Sequence, residues 1–146
     1  MKEEVLNTLK KMGFELEELG KFGYGFEYEG HRMAYIYNEN DDSFLNIAVP
    51  YAQEMDNYDE LTYYQIMDHI NSKLKYVKAY RLEDDIWLFV ERELFEGEDL
   101  HAVLMSAITH LDVGLGILHR AMEMLESDDD NTDDEDDSGL KDESDE

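Results

Sequence analysis

The sequence predicts one α+β domain in which helices pack on a five-stranded antiparallel sheet. Three observations carry this prediction: short segments that alternate apolar and polar residues, longer segments with an apolar residue at every third or fourth position, and clusters of turn-forming residues between them. The elements follow one another in the order α-βββ-α-ββ-α, and no internal repeat is evident. Runs of antiparallel strands interrupted by helices are typical of the α+β class.

The N-terminal part of the chain predicts a short helix followed by a three-stranded meander. The apolar residues between Val5 and Met12 recur at helical spacing, and Gly13 is placed to end the helix as a C-cap. The segments "YGFEYEG", "RMAYIYN" and "SFLNIAVP" then alternate with a period of two, and they are joined at the turns "EGHR" and "NENDD". The third strand is expected to stop at Pro50, the only proline in the chain.

The second half of the domain predicts a helix, a hairpin and a long helix. The first of these helices spans about 59–74, and Asp59 is its expected N-cap. Two strands at about 76–82 and 86–93 are joined at "EDD". The last helix spans about 98–125 and carries the longest apolar stripe in the chain. That stripe consists of Leu100, Leu104, Ala107, Ile108, Leu111, Leu115, Leu118, Met122 and Leu125.

The C-terminal segment 127–146 differs in composition from the rest of the chain. Its twenty residues hold twelve acids, one lysine and one apolar residue, Leu140. A segment of this composition cannot bury enough apolar surface to offset the entropy of ordering it, so this acidic tail is expected to be disordered. The predicted folded domain is therefore 1–126. It carries −15 of the total charge of −26, because the tail accounts for −11.

Charge and composition argue against several classes of partner and location. An acidic domain is repelled by phosphate backbones and anionic lipids, so we expect neither nucleic acid nor a membrane as a partner. The chain has no cysteine, which removes disulfides, thiolate catalysis and zinc–thiolate sites. The segment "MKEEVLNTLKKMG" is too polar for a signal peptide, and no apolar run approaches the ~20 residues of a membrane helix. The expected location is the cytoplasm.

One stretch, "INSKLKYVKAYRLEDDIWLFVEREL", combines the end of a helix, a strand, a short acidic turn and a second strand. Together with the "FEYEG" hairpin, the "FLNIAVP" strand and the long helix after "FEGEDL", it resembles the YbjN-type family, bacterial proteins labelled as sensory transduction regulators. The resemblance covers nearly all of 1–125. It implies a fold like that of type III secretion chaperones and a partner-binding domain, often dimeric, with no assigned reaction. It carries no functional residues over to this chain.

No constellation of side chains predicts a catalytic or metal site. Catalysis needs a nucleophile with a base and an orienting group, or a convergent acid pair. His31 lies in a hairpin turn and His69 on the second helix, without partners at motif spacing. On the third helix, His101 and His110 lie on opposite sides, and His119 is about 27 Å from His101 along the axis. We therefore predict no catalytic residue, no cofactor and no metal.

The loop "NENDD" begins like an EF-hand, with Asn38, Asn40 and Asp42 at alternate positions. An EF-hand loop also needs a glycine at its sixth position and a glutamate at its twelfth. The chain has Ser43 and Val49 at these positions. A hairpin turn is the better interpretation of this loop.

Aromatic residues are the remaining functional signal. In the predicted strand 86–93, the aliphatic residues share one side, which suits the core, and Trp87 and Phe89 share the other. We place Tyr35 and Tyr37 beside them on this second face of the sheet. A sheet that is covered on one side usually carries polar residues on the other. Three interpretations remain: helices cover both faces, tyrosines merely cover the surface of the sheet, or these four aromatics form a protein-binding or dimer surface.

The sequence favours a non-enzymatic, protein-binding domain of chaperone-like or regulatory type in a bacterial cytoplasm. Two alternatives of other classes remain: a small enzyme with an unrecognised carboxylate or histidine site, and a polyanionic mimic that sequesters basic proteins. The identity of the protein partner does not follow from the sequence. We also expect a homodimer, since the resemblance implies one, and Gly114 and Gly116 inside the third helix indicate a close packing partner.

Overall fold

The computed structural model describes residues 1–131 of the 146-residue chain. Within this range, three helices and six strands follow one another. The helices are α1 (Lys2–Lys11), α2 (Glu60–Lys73) and α3 (Leu100–Asn131), with a short 3-10 helix at Glu39–Asp41. The strands are β1 (Glu17–Glu18), β2 (Gly23–Tyr28), β3 (His31–Ile36), β4 (Phe44–Glu54), β5 (Val77–Leu82) and β6 (Asp85–Glu93).

The strands form one antiparallel sheet in the order β1-β2-β3-β4-β6-β5. The hydrophobic core lies on one face of this sheet, the helix face, where Leu9 of α1, Ile70 of α2 and Leu111 of α3 are all fully buried. On β6, Leu88 and Val90 belong to this core. The residues between them point to the opposite face, the second face, because side chains alternate along a strand. The predicted single α+β domain is confirmed.

Two helix ends follow the local signals in the sequence. Gly13 has a φ of 101°, and the N–H of the next residue, Phe14, donates to the carbonyl of Leu9 at 3.2 Å. This is the Schellman arrangement that ends a helix in the left-handed conformation, where glycine has no steric cost. At the start of α2, Oδ1 of Asp59 accepts a hydrogen bond from the N–H of Thr62 at 3.0 Å. Both predicted caps are confirmed.

The sheet has six strands rather than the five predicted. The additional strand is β1, in which Glu17 and Glu18 pair with Gly25 and Tyr24 of β2. A strand of two residues is too short to show an alternating pattern, so the periodicity of the sequence could not reveal it. It forms because the chain between α1 and β2 returns along the exposed edge of β2.

The prediction that the third strand stops at Pro50 was wrong. β4 continues to Glu54, but its register with β6 shifts between Val49 and Gln53, and Tyr51 within the shift has a φ of 52°. Such a bulge leaves residues out of the hydrogen-bond ladder. A proline is tolerated there because it has no N–H to donate. Pro50 therefore interrupts the pairing of the strand without ending the strand.

The helix α3 continues to Asn131 and thus enters the segment 127–146 that the composition predicts to be disordered. Extending an existing helix gains one hydrogen bond for each residue ordered, whereas starting a helix is costly. The first residues of an unfavourable segment can therefore continue a stable helix. The rest of the predicted tail, 132–146, lies outside the described residues.

The segment Leu100–Ser127 of α3 is long and apolar enough, by length and composition alone, to cross a membrane. Its sequence has no uninterrupted apolar run of that length, because polar residues recur on one side of the helix. On the other side, Leu104, Ile108 and Leu118 have no exposed surface and belong to the core. The apolar stripe of α3 is therefore used in packing against the sheet.

The outer edge of β5, which ends the sheet, is occupied by a side chain from α2. The amide of Asn71 donates to the carbonyl of Ala79 at 3.0 Å, and its Oδ1 accepts from the N–H of Ala79 at 2.7 Å. Unpaired edge strands invite pairing with other chains. By satisfying both backbone groups of the buried Ala79, Asn71 takes the place of a neighbouring strand.

We expect the substitution Asn71→Ala to lower the free energy of unfolding by about 1 to 2 kcal/mol, because both backbone groups of Ala79 lose their partner. Urea unfolding followed by circular dichroism measures this change. The matched control is Ser72→Ala on the next, exposed position of α2. Equal stability of the two variants would contradict the structural role of Asn71.

The two glycines of α3 have different surroundings. A Cβ atom on Gly114 would lie 3.4 Å from side-chain atoms of both Leu74 and Val77, so this glycine allows α3 to pack closely within its own chain. A Cβ atom on Gly116 would meet only the end of Arg120, at 3.9 Å. The packing within one chain therefore accounts for a glycine at position 114, without a second copy of the chain. Nothing in the structure explains the glycine at position 116.

We expect Gly116→Ala to raise the free energy of unfolding by up to about 1 kcal/mol, because alanine is the better helix former and the site is open. Thermal unfolding of the variant beside Gly114→Ala, whose added methyl group would lie against packed side chains at 3.4 Å, measures the difference. A destabilised Gly116→Ala protein would contradict this expectation and would indicate that another chain packs at this position.

Candidate binding surface

The second face of the sheet is shielded by its own aromatic side chains. Within the described part of the chain, every buried apolar helix residue belongs to the core on the helix face. Phe89 nevertheless has only 2% of its surface exposed. It faces away from that core, because its strand neighbours Leu88 and Val90 face toward it. Side chains of the sheet itself therefore contribute to the cover of Phe89.

Four aromatic side chains form a continuous row across this face. The ring of Phe89 stacks on Tyr80 of β5 at 4.3 Å between centroids, with 10° between the planes. The ring centroid of Trp87 lies 6.0 Å from that of Phe89, and the ring centroid of Tyr51 in the β4 bulge lies 4.9 Å from that of Trp87. Stacked and tilted ring pairs at these distances are favourable beyond the area that they bury. We call Tyr80, Phe89, Trp87 and Tyr51 the aromatic row.

The structure separates the four aromatics that the sequence analysis placed together. Trp87 and Phe89 do lie on the second face, as predicted. Tyr35 pairs with Ile47 of β4, which is a core residue, so Tyr35 and Tyr37 lie on the helix face. The error is one of register: the side chains of each strand alternate, and a shift by one residue exchanges the two faces. The spacing within one strand does not determine how it aligns with another.

Tyr35 is a fully buried tyrosine whose hydroxyl has no hydrogen-bond partner among the described residues. Burial raises the pKa of Tyr35 far above its ordinary value of 10.0, and the nearby Tyr37 and Asp42 add to the effect. Tyr37 is in a different position, since its hydroxyl donates to Oδ1 of Asp42 at 3.1 Å and Lys2 lies 5.2 Å from its ring centre. Both tyrosines therefore belong to the packing of the domain.

A polar group lies at the Phe89 end of the aromatic row. Nζ of Lys78 is 2.8 Å from Oε1 of Glu91, and the amide of Asn46 donates to Oε2 of the same carboxylate at 3.2 Å. The hydrogen bond and the charge of Glu91 raise the pKa of Lys78. Burial, followed by the charge of Glu91, raises the pKa of Tyr80. These contacts close this end of the row, and within the described residues only Oδ1 of Asn46 in this group is buried without a hydrogen-bond partner.

The Trp87 end of the row opens into a cleft between β3 and β4. The two strands pair at Ala34↔Ala48 and Tyr35↔Ile47, yet β3 begins earlier, at His31, and β4 continues beyond the bulge. In the space between them lies a cleft of about 790 Å³, which we call the β3–β4 cleft. Its volume is within the usual range for binding pockets.

The walls of the β3–β4 cleft come from both faces of the sheet. Met33 and Val49 are core residues of the helix face and line the cleft together with Leu115 of α3. Trp87 and Leu19 line it from the second face, where Leu19 lies near Gly25. The lining of the cleft therefore includes residues from both faces of the sheet.

Three large apolar side chains at the β3–β4 cleft are exposed. The exposed fractions are 68% for Phe22, 63% for Tyr51 and 38% for Leu82, and all three line the cleft. Single exposed apolar residues are ordinary, but several at one concave place are typical of an interaction site. The sequence pattern did not predict these residues, because they come from a loop, a bulge and the end of a strand.

The charged groups at the cleft include one closed pair. Nη2 of Arg32 is 2.8 Å from Oε1 of Glu17 on β1. The guanidinium occupies the space above Gly25, where a Cβ atom would come within 2.7 Å of it. Glu83, at the opposite side of the cleft, has no ion-pair partner among the described residues. The cleft thus carries an unpaired carboxylate and a neutralised arginine.

The cleft also brings together two histidines that are far apart in the sequence. The rings of His31 and His119 lie 6.5 Å apart between centroids. Among the described residues, no group of three or more histidine, aspartate or glutamate side chains is arranged to hold a metal ion. The spacing of histidines within α3 gives no signal of this pair, because His31 lies on β3 and meets His119 only in the folded domain.

Comparisons with known proteins support the fold. No protein-family model matches the chain, and no curated protein matches it in sequence. Its structure is similar to the crystal structure of an uncharacterized protein from Methanothermobacter thermautotrophicus, with a TM-score of 0.58, 14% identity, and coverage of 84% of this chain and 97% of that one. It is equally similar to YbjN, "a putative transcription regulator from E. coli", with a TM-score of 0.58, 11% identity, and coverage of 84% and 92%. The predicted likeness to YbjN is confirmed at the level of fold.

We expect the substitution Tyr35→Phe to raise the free energy of unfolding by about 1 kcal/mol at neutral pH, because it removes a buried hydroxyl without a partner. The two proteins should also differ in alkali. Above pH 10 the tyrosine ionises in the unfolded chain but stays neutral in the folded domain, so the wild type loses stability that the variant keeps. Urea unfolding between pH 7 and pH 11 measures both effects. Parallel pH profiles would contradict the placement of Tyr35.

Proposed function

We propose that this protein, which has the fold of YbjN, is a non-enzymatic regulatory domain that binds a protein partner at the β3–β4 cleft. The observation that supports this function best is the gathering of Phe22, Tyr51 and Leu82, all exposed, around one apolar cleft. Aromatic and aliphatic side chains in such pockets supply most of the energy of many protein interfaces. The aromatic row holds the inner wall of the cleft in place through Trp87.

The chemistry of the cleft supports binding over catalysis. Arg32 is occupied by Glu17, and neither His31 nor His119 has a side-chain hydrogen bond to a described residue that would orient it as a base. Glu83 lies at the rim, in a turn. A nucleophile with a base and an orienting group is not assembled among these lining residues.

The remaining parts of the proposal are the cellular location and the oligomeric state. We place the protein in the bacterial cytoplasm, in keeping with the acidic, cysteine-free composition of the chain. The homodimer stays a prediction, with the support of Gly114 withdrawn because that glycine packs within its own chain. Light scattering as a function of protein concentration measures the oligomeric state directly.

We expect Phe22→Ser to weaken binding of the native partner by about tenfold or more, because it removes an exposed apolar anchor from the cleft. The matched control is Phe95→Ser, which removes an equally exposed phenylalanine, 62%, from the loop before α3. The measurement is quantitative co-purification from the native host with wild type and both variants, followed by titration of the recovered partner.

Two results would contradict this function. Equal recovery of the partner with Phe22→Ser and Phe95→Ser would show that the cleft is not the binding site. Turnover of a substrate that is lost in Glu83→Gln, in a broad activity screen, would show that the cleft is an active site.

A further inference from the structure

We propose that two copies of the chain associate through the outer side of α3, with the two α3 helices antiparallel. The contact surface consists of Tyr76, Val113, Ile117 and Met124, which we call the α3 patch. The inference rests on the homodimer that is part of the proposed function, because it names the surface of that dimer. Three properties support it: exposed apolar side chains at one place, a strained turn that adds an aromatic ring to them, and charges that complement themselves.

The α3 patch lies on the side of α3 that faces away from the sheet. Val113, Ile117 and Met124 are spaced by four and seven residues, so they lie along one side of the helix. Leu111 and Leu118, on the opposite side, are fully buried in the core. The exposed fractions are 55% for Val113 and 67% for Met124, and Ile117 is half-buried. Several such side chains at one place are typical of an interaction surface.

Tyr76 extends the α3 patch from the turn between α2 and β5. The N–H of Val77 donates to the carbonyl of Lys75 at 2.8 Å, and Tyr76 between them has a φ of 70°. This is the γ-turn of positive φ, which is rare and strained. The ring of Tyr76 is 69% exposed, and its centroid lies 5.0 Å from that of His110, one turn of α3 before Val113. Strained backbone is concentrated at functional surfaces.

Charge favours a second copy as the partner of this patch. In the segment of α3 from Leu100 to Met122, the only charged residues are Asp112 and Arg120, so the net charge is zero with neutral histidines. Two copies of a chain with a charge of −26 repel each other least where such a segment forms the contact. Neither Asp112 nor Arg120 forms an ion pair with a described residue of its own chain.

The positions of these two charges favour the antiparallel orientation. Asp112 lies four residues before Gly116, and Arg120 lies four residues after it. If a two-fold axis passes at the level of Gly116, Asp112 of each copy lies level with Arg120 of the other, and the pair forms twice. A parallel arrangement would instead bring like charges together and would place the two acidic segments 127–146 side by side. In the antiparallel pair these segments begin about 30 Å apart, from the rise per residue of an α-helix.

This arrangement agrees with the expected effect of alanine at position 116. Helices in contact have axes about 8 to 10 Å apart, which leaves room for a methyl group between them. Gly116→Ala is therefore still expected to stabilise the protein.

The first test places a charge in the α3 patch of the full-length protein. We expect Val113→Glu to raise the dissociation constant of the dimer at least tenfold, because the carboxylate would be buried in an apolar contact. The matched control is Leu61→Glu, which replaces a similarly exposed side chain, 62%, at the start of α2 and should leave the constant unchanged. Analytical ultracentrifugation over a concentration series measures the constants, and circular dichroism shows whether each variant is folded.

The second test exchanges the two charges. We expect Asp112→Lys and Arg120→Glu each to raise the dissociation constant about tenfold, because each variant faces two like charges across the contact. The double variant should recover the wild-type constant, which excludes misfolding as the cause of the single effects. Asp112→Lys also makes the chain less acidic, so a dimer limited by overall charge would be strengthened by it. Equal constants for all four proteins would contradict the antiparallel pairing.

The outcomes separate this inference from the function on which it rests. A monomer at every concentration would overturn both the homodimer and its surface. A dimer that persists in Val113→Glu, or that Leu61→Glu weakens as much, would keep the homodimer and overturn the α3 patch. The β3–β4 cleft is tested independently, because none of the four patch residues is among those that line it. If Phe22→Ser retains the native partner while Val113→Glu separates the dimer, the cleft fails and the α3 patch stands.

Discussion

The interruption of the β4–β6 ladder at Pro50 and Tyr51 is the constraint on which the functional part of the structure depends. Before it, β4 lies between β3 and β6 and pairs with both. After it, β4 pairs only with β6, at Gln53 and Glu54. The strand β4 therefore has two paired neighbours before the interruption and one after it. The interruption separates β3 from β4, opens the cleft, and turns Tyr51 onto the ring of Trp87. Without it, β4 would continue as a regular central strand and the sheet would be closed.

The second face shows how a sheet can bury aromatic residues without a second layer of helices. Phe89 is covered in part by the rings of Tyr80 and Trp87, which both stack with it. The aromatic side chains of this face thus remove one another's apolar area from water. At one end of the row, Glu91 and its partners Lys78 and Asn46 form a polar group that closes it. The other end has no such closure, and it is where apolar side chains remain exposed. The same row is thus closed by polar contacts at one end and lines the β3–β4 cleft at the other.

The sequence predicted the elements of the fold well and their mutual alignment poorly. Helical stripes, strand alternation and the caps at Gly13 and Asp59 depend on local chemistry, which periodicity can report. The face of Tyr35 depends on the register between β3 and β4, which no single segment contains. The cleft depends on where two strands stop pairing, and only the proline was visible as a signal. We interpreted Pro50 as the end of a strand because a bulge and a strand end have the same local signature.

The bonds between Asn71 and Ala79 have a consequence for the order in which the domain assembles. They join residues only eight positions apart, and β5 and β6 form a tight hairpin directly after them. The contact between Asn46 and Glu91, by contrast, spans 45 positions. Short loops cost less entropy to close than long ones, and local contacts form faster. The α2–β5–β6 unit is therefore suited to serve as the nucleus on which β4, and with it the meander, later docks. The β3–β4 cleft takes lining residues from the meander and from the β5–β6 hairpin, so it is complete only after β4 has paired with β6.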